Sequence, residues 1–217
     1  MKFGTLLYKE IRECLPFVIV VAIILTAIGL TFVQMANIAA EHDRFIFNEG
    51  AIEAAGVWLL IFSIGLGMVL GVRQYHTEFA ARTWGFLLHR SVNRETILSA
   101  KLFTGLLCFV PMAIILGLFY LYIHDKPFFQ IPPTIRMFWK GLLFIVFGYV
   151  LYLAIAMAVL NKAKWYTTKM LSVVFGLWMF FMASIHWRLL GAWIIIVTTT
   201  AILLVQITDV FLNREFE

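Results

Sequence analysis

The sequence predicts an all-α, polytopic membrane protein with six transmembrane helices. Hydrophobic residues make up 63% of its 217 residues and charged residues only 13%, whereas a soluble domain has about 25% charged residues. Six charge-free runs of 18 to 27 residues follow one another along the chain. A helix needs about 20 apolar residues to cross the hydrocarbon core, and a continuous apolar run is typical of such a helix.

The spans are predicted at residues 15–39, 54–72, 99–123, 139–161, 169–187 and 189–209. They form one transmembrane domain over residues 1–217, because no linker or soluble segment separates them. An amphipathic cytoplasmic segment, residues 73–98, connects the second span to the third.

The distribution of Lys and Arg predicts the orientation. With both termini in the cytoplasm, 12 of the 17 Lys and Arg residues lie in cytoplasmic segments and five lie in outer segments. The positive-inside rule therefore predicts cytoplasmic termini in a multi-pass protein of the cell's inner (plasma) membrane. Topology accounts for the net charge of +5, so nucleic acid is not an expected partner.

The N-terminal segment, residues 2–13, is predicted to form an amphipathic helix in the membrane interface. Its apolar face carries Phe3, Leu6, Leu7 and Ile11, and its polar face carries Lys2, Lys9, Arg12 and Glu13. Pro16 follows near the start of the first span. The alternative is an ordinary charged flank of that span.

The outer segment 124–140 combines three prolines with four aromatic residues. Aromatic side chains suit the membrane interface, and the prolines interrupt a regular helix. We expect a loop that lies along the interface, and an extracellular gate is the less favoured alternative.

Sequence motifs for enzymatic chemistry are absent from the chain. The five histidines do not pair at the i, i+4 spacing of a metal site. Neither a nucleophile elbow nor an ATP-binding P-loop occurs. No enzyme activity and no cofactor are therefore expected in this chain. Because no Asp, Glu, Lys or Arg lies inside the six runs, an ion-coupled carrier is also disfavoured.

The polar and small residues within the spans are expected to serve helix packing. Interhelical hydrogen bonds are favoured over a substrate site for Ser63, Thr198, Thr199, Thr200 and Gln206. Close helix approach is expected at Gly65, Gly67 and Gly71 of the second span with Ala154 and Ala158 of the fourth, within the bundle rather than between subunits. Cys14 and Cys108 are too few and too badly placed for a disulfide framework, because one lies at the cytoplasmic interface and the other within the third span. Both are expected to pack as small apolar residues.

Residues 73–101 are the most unusual part of the chain. Five basic residues stand against two acidic ones there: Arg73, Arg82, Arg90, Arg94 and Lys101 against Glu78 and Glu95. Within 78–90 a broad apolar face is predicted, with Phe79, Ala80, Thr83, Trp84, Leu87 and Leu88. Asn93 can cap a following helix that carries Glu95 in its first turn. The segment is either an interfacial helix on the headgroups or a docking helix for a soluble partner.

This segment resembles the permeases of type-2 ABC exporters. In such permeases a Glu and a Thr precede a Leu-rich stretch, a short Arg-flanked element, an aliphatic pair and a Lys that opens the third span. The corresponding residues here are Glu78, Thr83, Leu87, Leu88, the run Arg90-Ser91-Val92-Asn93-Arg94, Ile97, Leu98 and Lys101. Ser91 stands where proline is usual.

The resemblance implies a permease that moves a hydrophobic or amphipathic substrate out of the cytoplasm. A separate ABC ATPase subunit would bind ATP and Mg, and a second copy or a paralogue would complete a dimer in contact with membrane lipid. Phe79, Trp84 and Leu87 would fill a socket on the ATPase, and the other coupling residues would be Glu78, Arg82, Thr83, Arg90 and Arg94. The alternatives are a non-transporting assembly or lipid-organising subunit and, after it, a membrane enzyme.

Overall fold

The computed structural model describes residues 3–41, 49–77, 93–124, 135–161, 166–185 and 189–213. Almost all of these residues are helical and no strand occurs among them, which confirms the all-α class. The helices are α1 (Phe3–Glu41), α2 (Glu49–Gly71), α3 (Arg94–Leu107), α4 (Val110–His124), α5 (Ile135–Leu160), α6 (Tyr166–Ile185) and α7 (Leu189–Asn213). A short π-helical segment, Val72–His76, continues α2.

Five stretches of the described chain are long and apolar enough to cross a membrane: Phe3–Met35, Ala55–His76, Arg94–Tyr122, Ile135–Leu160 and Leu189–Asn213. A shorter apolar helix, Lys169–Ala183, lies within α6. The chain is therefore a helical, multi-pass membrane protein. Where the sequence predicts six spans, the described residues contain five that meet the length for crossing.

Helix α1 joins the N-terminal amphipathic segment and the first apolar run in one continuous helix of 39 residues, with Pro16 inside it. At 1.5 Å per residue it is about 58 Å long, well beyond the hydrocarbon core. Its buried stripe comprises Leu6, Glu10, Cys14 and Val18, each four residues after the last. Phe3, which the sequence placed on the same apolar face as Leu6, is 42% exposed.

Helix α5 is the centre of the bundle. About two thirds of its most hydrophobic 18-residue stretch is buried. The helix packs against α2, α6 and α7, with smaller contacts to α3 and α4. Since neighbours cover it on all sides, its apolar residues do not form a single stripe.

Glycines bring α2 and α5 into direct backbone contact. A Cβ atom on Gly148 would lie 2.5 Å from the carbonyl oxygen of Ser63, and one on Gly67 would collide with the carbonyl oxygen of Gly148. Gly71 faces Ile155, whereas Gly65 has open space around it. The predicted close packing within the bundle is thus confirmed at Gly67 and Gly71.

On α5 the contact with Gly67 and Gly71 is made by Gly148 and the turn at Tyr152–Ile155. The prediction was therefore wrong for Ala154, and for Ala158 it stays a prediction. Ala154 faces the other way, toward Gly176 of α6. The prediction failed because helical periodicity identifies which residues share a face but not which neighbour that face meets.

The expectation of interhelical hydrogen bonds was also wrong for the threonines of α7. Thr198, Thr199 and Thr200 each donate to the carbonyl four residues earlier in their own helix, at 2.7, 2.7 and 2.8 Å. This local carbonyl is always within reach of a helical threonine, so no neighbouring helix is needed.

Helices α3 and α4 form one apolar rod that is interrupted by the turn at Cys108 and Phe109. Pro111 stands in the first turn of α4, where its missing N–H is tolerated. At the other end of α3, Asn93 holds the predicted cap position and Glu95 lies in the first turn. The backbone carbonyl of Asn93 accepts hydrogen bonds from Thr96 and Ile97, while its side chain makes no capping bond.

Candidate functional site

Six buried side chains from four elements form a polar cluster inside the bundle. The members of this polar cluster are Glu10 and Cys14 of α1, Gln74 and Tyr75 of the π segment, Lys101 of α3 and Tyr152 of α5, and each is at most 2% exposed. Polar groups at such depth among apolar helices are costly unless they bind one another.

An ion pair between α1 and α3 is at the centre of the cluster. Lys101 Nζ lies 2.9 Å from Glu10 Oε1, and the two side chains are 1% and 2% exposed. The ammonium also donates to the backbone carbonyl of Gln74 at 3.2 Å. The ring of Tyr75, with its centroid 5.8 Å away, adds a cation–π contact. The charge of Lys101 is therefore compensated from α1 and from the end of α2 together.

Gln74 uses both ends of its amide group. Its Nε2 donates to the sulfur of Cys14 at 3.2 Å, and its Oε1 accepts a hydrogen bond from the Tyr152 hydroxyl at 2.6 Å. The Tyr152 hydroxyl also lies 3.0 Å from the Lys101 carbonyl oxygen. One hydroxyl proton serves one acceptor at a time, and the shortest of these distances assigns it to Gln74.

The π-helical segment supplies two consecutive residues to the cluster. Gln74 and Tyr75 are both buried there. A π segment widens the helix by one residue per turn and occurs often at functional sites. Gly105 of α3 supplies the space for Tyr152, since a Cβ there would lie 2.5 Å from the tyrosine ring.

Members of the polar cluster flank residues 78–92 in the sequence, and these residues are the main part of the predicted coupling segment. Gln74 and Tyr75 stand just before these residues, and Lys101 stands about two turns into the helix after them. The chain is thus bound to α1 and α5 on both sides of 78–92. Movement of either flank relative to these helices would break bonds of the cluster.

Seven of the eight predicted coupling residues lie outside the described residues: Glu78, Phe79, Arg82, Thr83, Trp84, Leu87 and Arg90. The eighth, Arg94, begins α3, and its Nη1 donates to the carbonyl oxygen of Leu212 at 3.2 Å. A cation is favourable at the C-terminal end of a helix, where carbonyl groups are left without helical partners. Arg94 therefore joins the start of α3 to the end of α7, and its contact with an ATPase stays a prediction.

Sequence reasoning missed Glu10 as a partner of Lys101. The two residues are 91 positions apart, and Glu10 stands among other charges, Lys9, Arg12 and Glu13, that suggest an aqueous surface. The available signal was the spacing of Leu6, Glu10, Cys14 and Val18, which puts one acid in a stripe of small and apolar residues. The charge-free runs themselves contain neither residue, but α1 and α3 extend beyond those runs and bury Glu10 and Lys101 between them.

The two cysteines are free and buried, as expected for residues that pack as small apolar side chains. The sulfur of Cys14 also accepts a hydrogen bond from Gln74 Nε2, which the sequence did not indicate. Within the described ranges, no group of three or more His, Cys, Asp or Glu side chains is close enough to hold a metal ion.

Comparison with protein-family models, with curated proteins and with solved structures gave no match for this chain. Its function is therefore inferred from its own residues and their geometry.

Proposed function

We propose that this chain is the membrane-spanning permease subunit of an ATP-driven exporter of the type-2 ABC class. It would move a hydrophobic or amphipathic substrate out of the cytoplasm, with ATP hydrolysed by a separate subunit. The observation that carries the proposal is the position of the polar cluster. It binds the chain on both sides of 78–92, the segment that resembles the coupling element of such permeases.

A segment that receives movement from a soluble partner needs a stiff connection to the spans. The Glu10–Lys101 pair and the Gln74–Tyr152 bond provide that connection on the two flanks, at 2.9 and 2.6 Å. Truncating one partner of a buried ion pair costs about 3–5 kcal/mol, so the flanks resist independent motion. A displacement of 78–92 is then passed on to α1 and α5 together.

The finer topology belongs to the same proposal. We take α6 as the sixth span, with its apolar core at Lys169–Ala183, and both termini in the cytoplasm of a cell bounded by an inner (plasma) membrane. A second copy or a paralogue would complete the path. Glu78, Phe79, Arg82, Thr83, Trp84, Leu87 and Arg90 would contact the ATPase, and Arg94 would support them through its bond to Leu212.

Co-purification tests the proposal. If an ABC ATPase is encoded beside the gene of this chain, the two are co-expressed, and the ATPase is expected to co-purify in a one-to-one ratio. The double variant Arg82→Glu with Trp84→Ala is expected to abolish this association, because it removes one charge contact and one aromatic anchor.

A matched control places the same substitutions on the outer side of the bundle, as Arg136→Glu with Trp139→Ala. Trp139 is 44% exposed, so this variant is expected to insert in the membrane and to retain the ATPase. If the cytoplasmic double variant still binds the ATPase fully, the assignment of 78–92 is wrong. If the unmodified chain binds no ATPase, the alternative of a non-transporting assembly or lipid-organising subunit takes precedence.

A further inference from the structure

Arg12 is an exposed cation on α1. The three charged residues next to it on this helix are all paired, since Lys9 lies 3.8 Å from Glu13 and Glu10 lies 2.9 Å from Lys101. No hydrogen bond or ion pair joins the Arg12 guanidinium to any residue that the structure describes. The guanidinium is therefore available to an anion from outside the chain.

The side of α1 that carries Arg12 is turned away from the bundle. Arg12 follows Glu10 by two residues, which places it about 200° further round the helix. Glu10 and Cys14 are buried in the polar cluster, so Arg12 lies on the opposite side of α1, where its side chain is exposed. This side of the first turns therefore faces lipid or water rather than another helix of the described chain.

Exposed side chains of two kinds stand on either side of Arg12 along this face. One turn before it is Tyr8, which is 69% exposed, and one turn after it is Leu15, which is also exposed. Ile19 and Ile23 continue the same face with large, exposed apolar side chains. Steps of three or four residues keep these five side chains within about 80° of arc. This lipid face thus consists of an aromatic ring, a guanidinium and an apolar track, in that order along α1.

The order of these side chains matches a phospholipid that stands beside the helix. The charge-free run begins at Cys14, two residues after Arg12, so the guanidinium lies where the hydrocarbon gives way to the headgroups. The planar fork of N–H donors on arginine suits a phosphate group. A tyrosine ring is favoured at headgroup level because it is amphipathic. The apolar track then lies alongside an acyl chain.

We propose that the lipid face of α1 is a binding site for an anionic phospholipid. The Arg12 guanidinium binds the lipid phosphate, Tyr8 packs against the headgroup, and Leu15, Ile19 and Ile23 contact an acyl chain. A headgroup with net negative charge is preferred, since the nearest carboxylates of α1 are already paired and offer no counter-charge to a choline group. The bound lipid supports α1 from the side opposite the polar cluster. The site does not depend on the proposed transport function, because it belongs to the isolated chain.

Native mass spectrometry of the full chain tests the site. The chain is purified in detergent and mixed with equal amounts of phosphatidylglycerol and phosphatidylcholine that carry the same acyl chains. We expect more phosphatidylglycerol than phosphatidylcholine adducts, and we expect Arg12→Gln to weaken phosphatidylglycerol binding by about fivefold. Arg12→Lys should retain part of the binding, since it keeps the charge but loses the planar fork. Equal adducts of the two lipids on the unmodified chain would overturn the proposal.

Arg73→Gln is the matched control for charge. Arg73 is also an exposed arginine, and it lies at a similar level because its neighbour Gln74 donates to the sulfur of Cys14. Its exposed apolar neighbours are Val69 and Val72, where Arg12 has a tyrosine. We therefore expect Arg73→Gln to reduce phosphatidylglycerol binding less than Arg12→Gln does. Equal losses would indicate a general attraction of anionic lipid to a basic surface, and the assigned site would be wrong.

Two further measurements identify the occupant of the face. Glycerophosphoglycerol, the same headgroup without acyl chains, should not displace the lipid at equal concentration, because it cannot contact the apolar track. Equal displacement would show that a soluble phosphate ester is sufficient, which contradicts a lipid site. The same spectra report the oligomeric state: if Arg12→Gln dissociates a dimer without changing the lipid adducts, a second copy of the chain covers this face and the proposal fails.

Discussion

Two neighbouring regions of the bundle hold α2 and α5 together by opposite means. Around Gly67 and Gly148 the helices touch because side chains are missing, and the contact is backbone against backbone. About two turns further, at Gln74 and Tyr75 of the π-helical segment that continues α2, large polar side chains fill the space and bind three other elements. The glycine contact involves two helices, whereas the polar cluster involves α1 and α3 as well.

The glycine contact determines how closely α2 and α5 approach, whereas the polar cluster determines which side chains must meet. A glycine contact requires the two helices to lie close together, but it involves no charge and no side-chain hydrogen bond. Its contribution to stability therefore depends on dispersion and on shape complementarity. The polar cluster specifies its partners, because a donor that loses its acceptor stays buried without compensation. We therefore expect substitutions to have different penalties, and different means of rescue, in the two regions.

The largest effect is expected from Lys101→Met, which leaves the Glu10 carboxylate buried beside an apolar chain. The free energy of unfolding should fall by about 3–5 kcal/mol. Reversible unfolding in mixed micelles measures the loss. The double variant with Glu10→Gln should recover part of it, because no charge then stays uncompensated.

A surface pair on α1 provides the control for this prediction. Lys9 and Glu13 lie 3.8 Å apart with side chains 42% and 33% exposed. Lys9→Met should cost less than about 1 kcal/mol, since water screens the charges. Equal losses for the two lysine variants would show that Lys101 is not held as the structure describes.

The next effect is expected from Gly67→Val in the glycine contact. The new side chain would meet the backbone of Gly148, which cannot rotate away, so a loss of about 1–3 kcal/mol is expected. Thermal unfolding in detergent micelles gives the comparison. Gly65→Val is the matched control: nothing lies within 4 Å of its added Cβ, and the variant should unfold close to the parent temperature.

A smaller effect is expected from Tyr152→Phe, which removes the donor to Gln74 at 2.6 Å. A hydrogen bond between helices in a membrane contributes about 0.6–2 kcal/mol, and a loss in this range should appear in the same unfolding measurement. Tyr149→Phe removes a longer contact, 3.4 Å to the Leu102 carbonyl. If Tyr149→Phe is the more damaging change, the Tyr152–Gln74 bond is not a main link of the cluster.

The smallest effect is expected from Ser63→Ala, beside the glycine contact. The Ser63 hydroxyl is buried and has no hydrogen-bond partner among the described residues. Removing it should therefore leave stability within about 0.5 kcal/mol of the parent or raise it. Ser172→Ala is the contrast, because Ser172 donates to the Ala154 carbonyl at 2.9 Å and should lose stability. A clear loss at Ser63 would reveal a partner for its hydroxyl.

The sequence sufficed for the features that depend on local composition. Continuous apolar runs predicted the helices, and Asn93 with Glu95 predicted where α3 begins. Gly67 and Gly71 also marked a contact face, since small residues one turn apart allow backbone approach. In each case the physical cause acts within one helix or at its surface.

The candidate site was beyond such reasoning because its bonds join distant parts of the chain. Glu10 pairs with Lys101, and Gln74 pairs with Tyr152 over 78 positions. Helical periodicity predicts which residues share one face of a helix, but which residues that face contacts depends on how the helices pack.

Pro16 gives α1 a bending point at a particular position. Because proline has no N–H, the carbonyl of Arg12 lacks its usual helical partner, and the helix can change direction there without breaking another backbone bond. The turns before this point belong to the polar cluster through Glu10 and Cys14, whereas most apolar side chains in the turns after it are exposed on the surface of the bundle. The membrane-embedded length of α1 can thus swing while its first turns stay anchored.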